Sequence, residues 1–225
     1  MGSVESILSL KAIVEKEAQR QPLVVVVSAL GGITDKLLET SRLALAGDER
    51  YKAEFEQIVN RHHQMIDTII TDKGDREELF KTVDGLLEQL KSIFFGVYLI
   101  HDLSEKTQDA IVAYGERLSS NIVATLVKGA KWFDSRDFIK TKTRKNKARE
   151  LEVELTNRLV RMTFRELPRI SLVPGFIAKD ALTGEDLLWY FVKTETVAMY
   201  VKGVNTLLAM DTRLSASCAT AGAAC

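Results

Sequence analysis

The sequence predicts an α/β fold, a mostly parallel sheet with helices over both faces. Three observations predict it. Leu23–Val27 and Ile170–Ala178 are apolar runs with no polar face, the pattern of strands buried on both sides. Between them lie long stretches with apolar residues at steps of three and four, and helices alternating with such strands imply a parallel sheet. A chain of 225 residues is long enough to bury one sizeable core.

In chain order, Val4 to about Arg20 has helical spacing through Val4, Ile7, Leu8 and Val14. Ser3 is its N-cap, and Ser6 stands where a glutamate would complete a capping box. After the strand Leu23–Val27 comes Ser-Ala-Leu-Gly-Gly-Ile-Thr-Asp, and then helical spacing resumes. Two amphipathic stretches follow, one through Tyr51, Phe55, Ile58, His62, Met65 and Ile69, the other through Leu79, Val83, Leu87, Leu90, Phe94 and Val97. The break at Asp72–Asp75 makes them a helical hairpin. His62 and His63 have no third ligand nearby and are read as helix residues without chemistry. Ser104 or Asp102 caps a further helix that reaches Lys128 and ends at Gly129.

Lys131–Thr141 reads as two short strands about a Ser-Arg-Asp turn, and Lys140–Arg149 as a solvated basic loop. Thr156–Leu167 is helical, and Ile170–Ala178 is a strand interrupted by Pro-Gly. Ala181–Gly184 forms a turn. Leu187–Val192 has strand character, whereas Ser215–Cys225 is low in complexity. The expected division is therefore residues 1–185 as the domain and 186–225 as a divergent tail, out-of-frame or disordered.

Lys+Arg 31 balance Asp+Glu 31, so charge points to no nucleic-acid partner. The two cysteines, Cys218 and Cys225, give neither a disulfide framework nor a metal spacing. No apolar stretch has the length of a membrane span. These features lead to the expectation of a cytoplasmic protein.

The strand–turn–helix at Ser28–Thr34 is a candidate anion corner. Gly31 and Gly32 let backbone N–H groups approach a ligand, the helix start favours negative charge, and Ser28 and Thr34 add hydroxyls. Equally, Gly-Gly turns the chain and Thr34 or Asp35 caps the helix. Neither familiar phosphate loop, GxxxxGK followed by Ser or Thr, or GxGxxG, is present. Gly115 lies within a helix, where glycine is costly unless something approaches the backbone. Glu116, next to it, either pairs with a ligand ammonium or lysine or is an exposed helix glutamate.

Three segments together, VVVVSALGGITDKL, HDLSEKTQDAIVAYGERLSS with KWFDSRDFIKT, and LVPGFIA, resemble the aspartate kinases, in particular the aspartokinase half of bifunctional aspartokinase/homoserine dehydrogenases. The resemblance runs from about Gly2 to Glu185. It implies the amino-acid kinase fold, a three-layer αβα sandwich with a largely parallel sheet, here incomplete. It implies phosphoryl transfer from ATP with Mg2+ to the side-chain carboxylate of L-aspartate, giving 4-phospho-L-aspartate on the way to threonine, lysine and methionine. By the same resemblance Thr34, Glu116 and Ser119 bind aspartate, with Glu116 on its ammonium. Ser28, Gly31 and Gly32 lie on the phosphate side. No metal ligand, nucleic acid or membrane is implied, and a homo-oligomer stays open.

Members of the family begin with a strand ending KFGGTS and continue after LVPGFIA with GRGGSDYTA. This chain has Met1-Gly2-Ser3 where the first would have just finished, and Glu185-Asp186-Leu187-Leu188 toward the second. The expectation includes an alternative, an inactive fragment that keeps only part of the aspartate pocket.

Overall fold

A computed structural model describes residues 2–143, 149–188 and 205–209. The chain opens with α1 (Val4–Ala18), β1 (Leu23–Val27) and α2 (Ile33–Leu45), followed by α3 (Tyr51–Ile69) and α4 (Lys73–Ile100). Then come α5 (Glu105–Leu126), β2 (Ala130–Trp132), α6 (Ser135–Phe138), β3 (Lys140–Thr143), β4 (Arg149–Leu151) and α7 (Val153–Thr163). The described chain finishes with β5 (Ile170–Pro174), β6 (Ile177–Asp180), β7 (Asp186–Leu188) and β8 (Asn205–Ala209).

The main sheet has the order β2-β5-β1-β8, and every pairing in it is parallel. All five residues of β1 are fully buried, and its alternate side chains serve two cores. Leu23, Val25 and Val27 join the core built by α1 to α5. Val24 and Val26 join a second one with Phe138, Val160, Phe164, Val173 and Ala178. A strand with a core on each side has no place for polar alternation, which is why the run reads as continuous valine. The predicted α/β class with its parallel sheet is what forms.

Local signals explain most of the helix boundaries. Ser6 completes the capping box that a glutamate was expected to make: Ser3 accepts from the Ser6 N–H and the Ser6 hydroxyl accepts from the Ser3 N–H, each at 3.2 Å. Asp72 caps α4, accepting from Asp75 N–H at 2.9 Å. Ser104, rather than Asp102, caps α5. That helix ends at Leu126, two residues short of Lys128, and Gly129 takes φ +75° just beyond it. The hairpin of α3 and α4 packs Phe55 edge-on to Phe94 with ring centres 6.0 Å apart. His62 lies fully buried in it.

Two readings of the second half change. The Ser-Arg-Asp turn is the single-turn helix α6, and the strands on either side of it belong to different sheets, β2 to the main one and β3 to a second, of order β4-β3-β6-β7. Ile170–Ala178 is likewise divided, with β5 in the main sheet and β6 in the second. In the basic run, β3 and β4 pair antiparallel, and Lys142 sits 3.3 Å from Glu150 and 2.9 Å from Glu152. Residues 144–148 lie outside the described ones.

Of the segment from 186 onward, Asp186–Leu188 pairs antiparallel with β6 and Asn205–Ala209 pairs parallel with β1. The low-complexity stretch Ser215–Cys225, with both cysteines, lies outside the described residues.

Candidate functional site

The corner forms where β1 runs out. Val27 is followed by Ser28-Ala29-Leu30, and Leu30 is buried. Its carbonyl accepts from Ile33 N–H at 3.0 Å, closing the Gly31-Gly32 turn. Gly32 has φ +79° and is itself the N-cap of α2, with no side chain capping the helix. Neither Thr34 nor Asp35 caps it, because the helix already starts at Ile33 and both residues lie inside its first turn. A Cβ on Gly32 would meet nothing within 4 Å. Backbone conformation, not space, demands a glycine here. Among the described residues no side chain caps the N–H groups that follow Ile33 in the first turn of α2, and Thr34 stands exposed there.

Helix α5 forms the opposite wall. Most of its middle is buried because it packs against α2, α4 and the main sheet at once. Glu116 is only 5% exposed, so it is not the solvent-facing glutamate that a helix position commonly holds. Burial pushes its carboxyl up to about 7, even though its own backbone N–H and that of Ala29 bond to it. Among the described residues no cation acts on it. One carboxylate oxygen, Oε2, is buried without a hydrogen-bond partner among the described residues. A buried polar atom of this kind is uncommon and asks for a partner.

Ser119, one turn on, is fully buried. It donates to the Ser28 carbonyl at 2.8 Å, and its hydroxyl also lies 3.2 Å from the Glu116 carbonyl. It ties α5 to the end of β1. Ser28, Glu116 and Ser119 are thus brought together. Gly31, Gly32 and Thr34 line the adjoining helix start, and no hydrogen bond joins Thr34 to Glu116.

The reading from sequence missed Gly175 and Phe176. Gly175 donates its N–H to the Val27 carbonyl at 2.8 Å, and a Cβ on it would lie 3.1 Å from Val26 Cγ1. Phe176 follows with φ 54°, an uncommon conformation for a bulky residue and one that clusters at functional sites. The available signal was a Pro-Gly pair at the end of a buried strand, which reads simply as an interruption.

A charged cluster stands further along, on α6 and the second sheet. Arg136 Nε bonds Asp134 at 2.9 and 3.1 Å, and the same guanidinium reaches Asp186. Lys140 Nζ donates to the Arg136 carbonyl at 2.6 Å. Burial would raise the Asp134 carboxyl, but the hydrogen bond and charge of Arg136 outweigh it and hold it below the usual carboxylate range. Among the described residues no group of three or more His, Cys, Asp or Glu side chains could hold a metal ion. No helix among them is long and apolar enough to cross a membrane.

The profile of the amino acid kinase family matches residues 2–201. The bifunctional aspartokinase/homoserine dehydrogenase 1 of Arabidopsis thaliana, named as chloroplastic, is 25% identical over 183 residues, covering 79% of this chain and 20% of the relative. The Zea mays enzyme 2 of the same description is 25% identical over 189 residues, 80% of this chain and 20% of the relative. The chain thus spans about a fifth of the length of these relatives. Among solved structures, E. coli aspartokinase III in complex with aspartate and ADP superposes with TM-score 0.69 at 20% identity, over 91% of this chain and 45% of that one. The same enzyme in complex with lysine and aspartate gives 0.68 at 18% identity, over 82% and 42%.

Proposed function

The chain belongs to the amino acid kinase family, and from that premise we propose that its corner is the acceptor side of an aspartate kinase centre. The reaction is attack by a side-chain carboxylate oxygen of L-aspartate on the γ-phosphorus of ATP. The bond to the ADP oxygen breaks and 4-phospho-L-aspartate forms. The observation that carries this reading is Glu116, a buried acid that among the described residues has one oxygen free and no cation acting on it.

An amino-acid ammonium group supplies that missing charge, and a charge-assisted bond to the ionised carboxylate orients the substrate as well as holding it. Thr34 contacts the same substrate from the first turn of α2. The uncapped N–H groups at Gly31, Gly32 and the start of α2 favour the phosphate side, with Ser28 close by. Ser119 acts through the Ser28 carbonyl, fixing the wall against which the substrate rests. Transfer of this kind needs placement and charge neutralisation rather than a covalent enzyme intermediate.

ATP enters as co-substrate, in keeping with the ADP held by the E. coli enzyme. Mg2+ would accompany the nucleotide and neutralise charge on its phosphates. The reading keeps L-aspartate as the small-molecule partner, with neither nucleic acid nor membrane, and a cytoplasmic setting. It leaves a homo-oligomer open.

A second reading is a protein that binds aspartate without phosphorylating it. Asp186–Leu188 favours it, because the turn after β6 leads into a strand whose Asp186 is held by Arg136, in place of a glycine-rich segment. Trapping aspartyl phosphate as its hydroxamate, with calorimetric titration of aspartate alongside, separates the two. Hydroxamate formation that is lost in Glu116→Gln supports the kinase. Binding without turnover supports the second reading, and no binding at all removes both.

A further inference from the structure

Helix α5 approaches the Ser28–Leu30 segment more closely at one point than side chains normally allow. A Cβ placed on Gly115 would stand 2.9 Å from Ala29 Cβ, 3.4 Å from Leu37 Cδ1 and 3.6 Å from Ile33 Cγ2. The first contact is inside van der Waals distance, and Ala29 Cβ cannot swing aside because its own backbone fixes it. On either side of this point the two segments are bonded. The Ala29 N–H reaches the Glu116 carboxylate, and the Ser119 hydroxyl holds the Ser28 carbonyl at 2.8 Å. The glycine immediately precedes the acid whose Oε2 has no partner.

We propose that Gly115 is a positioning residue for Glu116. Lacking a side chain, it lets α5 close on Ala29, so that the Ala29 N–H occupies one carboxylate oxygen and the other stays available to a ligand cation. The helix accepts a residue of poor helical propensity in exchange for that approach. Ala29 is the matching half of the device, since a larger residue there would force the same separation. The inference rests on the assignment of Glu116 to the ligand in the preceding section.

The test uses the full chain labelled for NMR, following the Glu116 side-chain carboxyl carbon and the amide of residue 29 from about pH 5 to about pH 9. In the native protein both titrate with one midpoint, because the amide senses the carboxylate it binds. Gly115→Ala uncouples the amide from Glu116. Adding Ala29→Gly, which removes the atom that the new methyl strikes, restores the coupling. Ala29→Val crowds the contact from the other side and uncouples it as well, so a Gly115→Ala protein that fails to fold does not end the test.

A folded Gly115→Ala variant whose residue-29 amide still titrates with Glu116 overturns the proposal, as does a double variant that stays uncoupled. Aspartate affinity in the same proteins should fall about tenfold in the single variants, one order of magnitude in Kd, and recover in the double one. If the native chain binds no aspartate, the functional reading fails, while the NMR comparison still decides the role of Gly115.

Discussion

Ser119, in the middle of α5, gives its hydroxyl proton to the carbonyl of Ser28, the first residue after β1. This bond ties the helix that holds the acid to the strand end where the phosphate corner begins. Ser119→Ala should lower the unfolding free energy by about 1 kcal/mol, the net contribution of one such bond. It should weaken aspartate binding by a few fold, because the wall behind the ligand loosens. Urea denaturation and calorimetry in parallel check this, and a variant equal to the parent in both would show that the bond does no structural work.

Glu116 should make the fold less stable as pH rises. Its carboxyl titrates near 7 in the fold, against an ordinary value of 4.5. Between those values the native state binds a proton that the unfolded chain has released, so stability falls with pH across that window, in total by about 3 kcal/mol. Glu116→Gln should remove this slope and be the more stable protein at pH 8, while losing aspartate. Denaturation curves of the pair at several pH values would expose any error of sign.

Aspartate binding should have its own pH dependence. A ligand ammonium requires ionised Glu116, so affinity should climb about tenfold per pH unit below the Glu116 midpoint and level off above it. Binding below that midpoint should release one proton. Calorimetry in buffers of different ionisation enthalpy counts that proton, and a count of zero would remove Glu116 from the ammonium.

His62 works in the opposite direction. It is buried; its Nδ1 donates to the Ile58 carbonyl at 2.7 Å, and its Nε2 has no partner among the described residues. Burial lowers its pKa from 6.5 to about 4. As pH falls through 6.5 the unfolded chain takes up a proton that the fold refuses, which costs the native state about 3 kcal/mol by pH 4. His62→Leu should be spared that loss. Thermal melts of the two proteins should therefore diverge steadily with acidification, and parallel curves would mean that water or a polar partner reaches Nε2.

Arg136→Ala should detach the hairpin of β6 and β7. The guanidinium bridges Asp134 and Asp186, and it is only 14% exposed. Removing it leaves the partly buried Asp134 without its cation and Asp186 with only Lys179, 3.9 Å away, a loss of about 3 kcal/mol. Hydrogen exchange should rise first in residues 177–180 and 186–188, and uniform exchange across the second sheet would contradict this.

The sequence makes β1 legible because nothing but a doubly covered strand explains five consecutive apolar, mostly β-branched residues. It marks Gly115 as odd but conceals the reason, since Ala29 lies far away along the chain. The burial of Glu116 is hidden for the same cause: it comes from α2, α4 and the sheet closing over α5 together. The switch of sheets at Pro174–Ile177 is silent because the residues flanking it, Leu172–Pro174 and Ile177–Ala178, are all apolar, and the turn between them is only Gly175 and Phe176, the latter at positive φ. Local signals name caps and strands; long-range contacts decide what a helix residue faces.

The central strand is made early and partnered late. Leu23 pairs with Ile170 on one side and Asn205 on the other, while α1, which packs on β1, is synthesised just before it. At roughly 5–20 residues per second, a ribosome leaves Leu23–Val27 without its ladder for on the order of ten seconds. Parallel pairing over such a sequence distance is intrinsically slow. During that interval this apolar run has helices to cover one face but no neighbouring strand to pair with. Its yield from a cell should therefore depend on translation speed and chaperone supply more than on the stability of the finished fold.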